Sequence, residues 1–153
     1  MRIQHEFPAA AEYLASWIRI SAEGRDWRRV ERLANLAAAL RAPNLSAVLV
    51  GLLEADISGL NEEDLVDILG EIRAVESAGA IFRIIKRRLD VDAPAYWLCQ
   101  KAILSLSELD TDEAERYLRS MLSDWWPKPV RWHAAVVLCV EDDLGFDEGS
   151  MLT

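Results

Sequence analysis

Histidine, cysteine and long apolar runs are scarce in this chain, and each scarcity narrows the classes of protein it can belong to. There are two histidines and two cysteines in 153 residues. No apolar run reaches the roughly 18 uncharged residues that a membrane span needs, so we predict no membrane helix. Residues 1–8 lack the apolar stretch of a secretory signal. Cys99 and Cys139 both lie in apolar helical runs, which predicts two reduced, buried thiols in a cytoplasmic protein.

The chemistry of a metal site or a nucleophilic enzyme is also missing from the sequence. His133 has Cys139 as a neighbour six positions on, which does not share its helix face, and His5 lies near the terminus. We find no glycine-rich phosphate loop and no nucleophile elbow. Asp142 and Asp143 are adjacent, so their carboxylates diverge around a helix. The sequence therefore predicts a non-enzymatic protein with no metal and no cofactor.

Charge is abundant but unevenly distributed. The formal net charge is −9. Residues 1–88 hold 12 Lys and Arg against 13 Asp and Glu, whereas residues 89–153 hold 5 against 13. An acidic half repels nucleic acid and anionic membranes and attracts basic proteins. Arginine outnumbers lysine 14 to 3, a composition typical of GC-rich bacterial genomes.

Helical periodicity runs through nearly the whole chain, with no convincing alternating strand. The breaks fall at Gly24, Pro43, Gly59, Pro94 and Pro127. Asp26, Asn61 and Thr111 are predicted helix N-caps. These signals predict about eight helices, at about 8–21, 26–40, 44–56, 61–72, 75–89, 94–109, 111–124 and 130–140. We expect the second to pair with the third, the fourth with the fifth, and the sixth with the seventh.

One phrase recurs in the sequence and indicates how these helices are arranged. Leu69-Gly70-Glu71-Ile72 and Leu106-Ser107-Glu108-Leu109 superpose at an offset of 37. Leu40-Arg41-Ala42 matches Ile72-Arg73-Ala74 at an offset of 32. Helical hairpins that recur every 30–40 residues are typical of an α-solenoid. We therefore predict one all-α domain over residues 1–153.

The pattern resembles the HEAT-like repeat family. The Leu-Gly-x-Leu-like phrases above match the end of that family's first helix, and Val130-Arg131-Trp132-His133-Ala134-Ala135 matches the opening of such a helix. The resemblance covers roughly residues 26–140. It implies a right-handed α-solenoid of three to four hairpins, with repeats at about 26–56, 61–89, 94–124 and 130–140 and an acidic tail over 141–153. It also implies a role as a protein-binding surface rather than an enzyme.

Six tryptophans are an unusual excess. Trp27, Trp97 and Trp132 fall near the starts of helices, and we expect them to wedge between repeats and seal the core, with an exposed aromatic row as the alternative. Trp125 and Trp126 are adjacent and point in different directions. We therefore expect one of the two to be partly exposed and to serve as an interface anchor.

A basic cluster formed by Arg83, Lys86, Arg87 and Arg88 closes the predicted fifth helix. Cations suit a helix C-terminus, and an acidic region follows in the sequence. We interpret the cluster as a helix cap paired with the acids of residues 90–153. Nucleic-acid binding through this cluster is the alternative.

These observations predict a protein-binding module with a basic protein partner. The most concrete version is a bacterial immunity protein, or antitoxin, that neutralises a basic toxin domain through its acidic C-terminal half. The alternatives are an adaptor subunit of a larger complex and a small-molecule or enzymatic groove. The predicted binding residues share an acidic or aromatic character and lie in the C-terminal half: Asp110, Asp112, Glu115, Asp124, Trp125, Trp126, Glu141 and Asp143.

Overall fold

The computed structural model describes residues 9–147 and Gly149, and this part of the chain is helical with no β-strand. It contains eight α-helices and one 3₁₀ turn, Val75–Ser77. The helices are α1 (Ala10–Glu23), α2 (Trp27–Ala39), α3 (Leu45–Glu54), α4 (Glu62–Glu71), α5 (Ala78–Asp92), α6 (Trp97–Leu109), α7 (Asp112–Ser120) and α8 (Lys128–Val137). The predicted all-α class is confirmed. His5 and part of the predicted tail, residues 148 and 150–153, lie outside the described residues.

The three predicted N-caps form. The side chains of Asp26, Asn61 and Thr111 each accept a hydrogen bond from the amide three residues on, at 3.1, 3.4 and 3.2 Å. Each bond satisfies an amide that has no partner within its own helix. The start of α6 is capped from a distance, because the Asp92 carboxylate accepts from the amides of Leu98 and Cys99 at 3.1 and 2.8 Å.

The helices contact one another in two rows. In one row α2 contacts α4, α4 contacts α6, and α6 contacts α8. In the other, α1 contacts α3, α3 contacts α5, and α5 contacts α7. The most extensive contacts join α4 with α6, α1 with α2, and α5 with α6. The predicted contacts of the second helix with the third and of the sixth with the seventh are also present. The predicted pairing of the fourth helix with the fifth is wrong, because α5 packs instead on α6 and α3.

The buried faces of the helices form one core. Ile18 of α1, Leu49 of α3, Leu69 of α4 and Ile103 of α6 are fully buried in the same cluster. Full burial of an aliphatic side chain of this size stabilises a fold by about 1.5–3 kcal/mol. Because each helix alone would leave such residues in water, the rows are held together mainly by this shared core.

The recurring phrase marks the end of a helix. Arg41, Arg73, Asp110 and Cys139 follow α2, α4, α6 and α8, and all four have left-handed backbones, with φ of 51°, 51°, 52° and 57°. After α2, the Arg41 amide donates to Ala38 and the Ala42 amide to Ala37, at 3.0 and 2.8 Å. The same pair of bonds follows α4 and α8, and the pattern is a Schellman motif. The sequence offsets of 32 and 37 are the spacing of these helix ends.

Cys139 is exposed, so the prediction that both thiols are buried is wrong for this residue. Helix α8 ends at Val137, and the left-handed turn carries Cys139 off the buried face. Cys99, inside α6, is buried as predicted. Burial raises the pKa of the Cys99 thiol, and its contact with Asp92 raises it further.

Three helix boundaries differ from the prediction. Helix α5 continues to Asp92 rather than ending at Leu89. Val75, predicted to belong to the apolar run of this helix, lies in the preceding 3₁₀ turn and is exposed. Pro129 does not bracket a connector but lies in the first turn of α8, where a missing amide hydrogen has no cost because that amide needs no helical partner.

The three tryptophans at helix starts do not behave alike. Trp27 is half-buried and packs against the core beside Gly59. Trp132 is half-buried, with its ring centroid 4.9 Å from that of His133. Trp97 is 63% exposed, so the prediction that it seals the core is wrong. It is the first residue of α6, and the next two residues, Leu98 and Cys99, take the buried positions.

Gly70 allows α4 and α6 to approach closely. A Cβ atom at this position would lie 2.8 Å from the Cα and 2.9 Å from the Cβ of Ser105. Ser105 is buried, and its hydroxyl has no hydrogen-bond partner in the described part of the chain. Such a buried hydroxyl costs about 1–3 kcal/mol. The contact therefore depends on the small size of both residues rather than on a hydrogen bond.

Replacing Gly70 with alanine should destabilise the fold by about 1–3 kcal/mol, because the added methyl overpacks the α4–α6 contact. Gly51→Ala is the matched control, since nothing lies within 4 Å of a Cβ there. It should stabilise the fold by about 0.4–1 kcal/mol by restricting the unfolded chain. Urea unfolding of both variants measures the difference. Equal effects of the same sign would contradict the close approach.

The two cysteines should react differently with Ellman-type disulfide reagents. In the native protein we expect one fast thiol, Cys139, and a second that reacts only on unfolding, because Cys99 is buried with a raised thiol pKa. Cys139→Ser should abolish the fast reaction and Cys99→Ser should leave it. Two fast thiols in the native protein would show that Cys99 is accessible.

Candidate functional site

Helix α7 and the turns on either side of it carry most of the predicted binding residues. Asp110 occupies the left-handed position after α6, Thr111 caps α7, and Asp112 and Glu115 lie in its first turn. Carboxylates are favoured there by the helix dipole. The α6–α7 turn therefore concentrates acids at one end of α7 for local structural reasons.

A groove of about 290 Å³ brings three of these acids together. Asp110, Asp112 and Glu115 line it with Val137 and Leu138 from the end of α8. We call this the acidic groove. Glu115 is paired with Arg119 at 2.6 Å. Asp110 and Asp112 are exposed and form no ion pair with any described residue.

Trp125 and Trp126 lie at the opposite end of α7 from the acidic groove. As predicted, one of the two is exposed and the other is not. Trp126 is only 6% exposed and donates from Nε1 to the Ser120 carbonyl at 3.1 Å. Its ring centroid is 5.9 Å from that of Phe82. Trp125 is 66% exposed and meets Trp126 edge-on, with centroids 4.8 Å apart. Trp126 is thus a core residue, and Trp125 is the one that remains available as an anchor.

Asp124 is next to Trp125 and is almost fully exposed, but it already has a partner. Arg131 donates to it at 2.9 Å, and the same guanidinium donates from Nε to the Leu122 carbonyl at 3.1 Å. It also lies 5.5 Å from the centroid of the Phe146 ring. An exposed pair of this kind contributes about 0–1 kcal/mol, so Asp124 can exchange Arg131 for an external cation at little cost.

The two remaining predicted acids follow α8. Asp143 is exposed, whereas Glu141 is half-buried. The Oε2 atom of Glu141 is buried and has no hydrogen-bond partner in the described part of the chain. The burial of Glu141 could not be predicted from the sequence, because Glu141 belongs to a run of acidic residues that all look alike. The acidic groove and Trp125 are separated by α7, which spans about 13 Å at 1.5 Å per residue.

The arginines of the basic cluster in α5 form ion pairs, but their partners are not the acids of residues 90–153 that were predicted. Arg83 pairs with Glu54. Arg88 donates to Glu62 at 2.7 Å and to Asp56 at 2.6 Å, and Arg87 donates to Glu62 at 3.1 Å. The partners therefore precede the cluster in the chain rather than lying in residues 90–153.

Two features explain that difference. Because α5 continues to Asp92, the cluster lies inside the helix and not at its end. The α3–α4 loop and the first residue of α4, Glu62, lie against it. The hydrogen bond to Glu62 raises the pKa of Arg88, so these guanidiniums stay charged and engaged. The arrangement does not favour nucleic-acid binding by these arginines.

A second groove, of about 630 Å³, lies between the ends of α2 and α4. Arg41 and Arg73, which both have left-handed backbones, line it together with Ser46 and Glu71. Neither arginine forms an ion pair with a described residue. The sequence analysis missed this groove, although the match of Arg41 to Arg73 at an offset of 32 was the available signal.

Metal-ligating side chains are not grouped in the described part of the chain. No group of three or more His, Cys, Asp or Glu side chains is placed to hold a metal ion within residues 9–147 and 149. Burial lowers the pKa of His133, which keeps it neutral near pH 7. The helices of this part of the chain also include none that is long and apolar enough to cross a bilayer.

Comparisons with protein-family models, with curated proteins and with solved structures find no match to this chain. The resemblance to HEAT-like repeats therefore rests on the sequence phrases alone. The function must be argued from the surfaces described above.

The adjacent tryptophans should differ sharply in their effect on stability. Trp126→Ala should cost about 3–5 kcal/mol, because it removes a buried aromatic side chain. Trp125→Ala should cost less than about 1.5 kcal/mol, since it loses only the edge-on ring contact. Chemical denaturation of the two variants measures both values. A larger loss for Trp125 than for Trp126 would reverse the assignment of core and surface.

Proposed function

We propose that this chain is a non-enzymatic, protein-binding α-solenoid whose acidic C-terminal half engages a basic protein. The most concrete form of the proposal is an immunity protein or antitoxin that neutralises a basic toxin domain in the bacterial cytoplasm. The observation that carries the proposal is the acidic groove, where Asp110 and Asp112 form no ion pair among the described residues.

The solenoid part of the proposal is supported by the order of helix contacts. Helices α2, α4, α6 and α8 touch in sequence, as do α1, α3, α5 and α7. The left-handed ends of α2, α4 and α6, at Arg41, Arg73 and Asp110, are spaced by 32 and 37 residues, as the sequence phrase is. Stacked hairpins would produce both features.

The binding surface combines charge with an apolar anchor. Unpaired carboxylates at the acidic groove would steer a basic partner and speed its association. Half-buried Val137 and Leu138 give the groove an apolar floor. Trp125 would bury its exposed ring against the same partner. A partner contacting about 800 Å² of this surface, the usual size of an interface, would span the length of α7.

A second candidate is a small anionic ligand held in the groove of Arg41 and Arg73. It is favoured by the groove's larger volume, about 630 Å³, and by its two arginines without ion pairs. Glu71 in the same lining offsets part of that positive charge. Arg119 also lines the acidic groove, but it is paired with Glu115, and Asp110 and Asp112 form no ion pair among the described residues. We therefore favour the basic protein partner.

The test of the basic partner is co-expression with the product of the neighbouring gene, which the proposal expects to be a basic toxin domain. The variant Asp110→Lys, Asp112→Lys, Glu115→Lys should abolish growth rescue and lower the association rate by at least about tenfold. The backbone should accept lysine at position 110, because Arg41 and Arg73 occupy the same left-handed position elsewhere in the fold. Circular dichroism confirms that the variant is folded.

The matched control reverses three exposed acids outside the groove, Glu12, Glu23 and Asp90. It changes the net charge by the same amount and should keep growth rescue. Rescue that survives the groove variant would reject the acidic groove as the binding surface. If the groove variant keeps its activity and activity is lost only when the charges of Arg41 and Arg73 are reversed, the anionic ligand in the second groove is favoured instead.

A further inference from the structure

The first helix carries an apolar stripe on its solvent side. Tyr13, Trp17 and Ile20 are all exposed, and their spacing of four and three residues places them along one line of α1. The Tyr13 and Trp17 rings lie 6.3 Å apart and nearly parallel. The opposite face of α1, with Leu14 and Ile18, is buried in the core. Helix α1 is therefore apolar on two sides, and the described residues cover only one of them.

The second helix adds a row of arginines to the same end of the molecule. Arg28 and Arg32 are exposed one turn apart on α2, and Arg25 is exposed in the left-handed turn between α1 and α2. None of them forms an ion pair with a described residue, unlike Arg83, Arg87 and Arg88 of α5. Residues 9–44 hold six arginines against four acids. The first two helices thus form a basic end with an apolar stripe, which we call the N-terminal end.

The other end of the chain has the opposite charge. Residues 110–147 hold nine acids against four bases. Asp142 and Asp143, after α8, are exposed and form no ion pair among the described residues. Val136 and Leu144 beside them are exposed apolar side chains. We call residues 136–147 the C-terminal end.

The helix contacts place these two surfaces at opposite ends of the rows. An interior helix such as α4 is contacted by α2 on one side and α6 on the other. Within the described residues, α1 and α2 have no predecessor in their rows and α8 has no successor. The surfaces left open at the two ends are therefore equivalent to surfaces that interior helices cover with one another.

We infer that this chain associates head to tail, with the C-terminal end of one copy docked on the N-terminal end of a second copy. Arg25, Arg28 and Arg32 would face Asp142 and Asp143 of the other copy. The stripe of Tyr13, Trp17 and Ile20 would be covered by Val136 and Leu144. Such an interface is heterologous, so it leaves one free end of each kind and permits further addition.

A second copy fits the N-terminal end better than a nucleic acid does. Four acids, Glu12, Glu23, Asp26 and Glu31, are interspersed with its arginines, and they would repel a polyphosphate backbone. The apolar stripe would gain little from contact with phosphates, whereas it can pack against an apolar protein surface. The complementary charge and apolar residues are both present on this same chain.

The experiment is sedimentation velocity of the full chain over a range of concentrations at 0.1 M and 1 M salt. At 0.1 M salt the weight-average mass should rise above that of the monomer as concentration increases. At 1 M salt screening shortens the Debye length from about 10 Å to about 3 Å, and the association constant should fall at least about tenfold. Trp17→Glu, which blocks the N-terminal end, and Asp142→Lys with Asp143→Lys, which block the C-terminal end, should each be monomeric alone.

Mixing the two blocked variants distinguishes a head-to-tail contact from a symmetric dimer. Each variant retains one intact end, so an equimolar mixture should form a complex of twice the monomer mass and grow no further. Arg28→Glu with Arg32→Glu is a second, charge-only block of the N-terminal end and should behave like Trp17→Glu. Val91→Glu and Asp90→Lys are controls at exposed sites in α5, and they should leave the association unchanged.

Three outcomes would overturn the proposal. The wild-type chain could remain monomeric up to its solubility limit at 0.1 M salt, which would assign the stripe to another occupant. It could form a closed dimer that is indifferent to the Asp142 and Asp143 reversals. It could also bind a duplex or single-stranded oligonucleotide at the N-terminal end in place of a second copy. A monomeric result would leave the proposed basic partner untouched, because that proposal depends on the charges of Asp110 and Asp112, which the head-to-tail contact does not use.

Discussion

The close approach of α4 and α6 is the contact on which the rest of the fold depends. Gly70 has no side chain, and Ser105 keeps a small one at the cost of a buried hydroxyl without a partner in the described chain. This approach connects the first half of the even-numbered row, α2 and α4, to the second half, α6 and α8. Arg73, after α4, lines the groove that Arg41 also lines, and Asp110, after α6, lines the acidic groove, so each groove lies at the end of one of these two helices.

Ion pairing in the middle of the molecule decides which charges remain available at its ends. The arginines of α5 are the most concentrated positive charge in the sequence, yet Glu54, Asp56 and Glu62 engage them. The exposed arginines of α1 and α2, and the acids Asp110, Asp112, Asp142 and Asp143, form no ion pair among the described residues. The contrast in unpaired charge between the two ends of the molecule is therefore larger than the contrast in composition between the two halves of the sequence, because the charges in the middle are paired with one another.

Features set by neighbouring residues could be predicted from the sequence, and features set by distant contacts could not. The caps at Asp26, Asn61 and Thr111 depend on an amide three residues away, so local pattern was sufficient. The repeated phrase gave the spacing of the helix ends because each end is built from its own residues. The partners of Arg87 and Arg88 depend on how α5 packs on the α3–α4 loop, and the exposure of Cys139 depends on where α8 ends. Neither is encoded in a local pattern.

The acidic groove and the C-terminal end are close in the fold, and this has a consequence for the two proposed interactions. Val137 and Leu138 line the groove and immediately precede the turn that leads to Asp142 and Asp143. A basic partner of ordinary interface size bound at the groove would cover that turn as well. Binding of the partner and docking of a second copy would then exclude each other. By linkage, a ligand that binds only the free end lowers the population of associated chains. Both interactions therefore require a chain whose C-terminal end is not yet occupied.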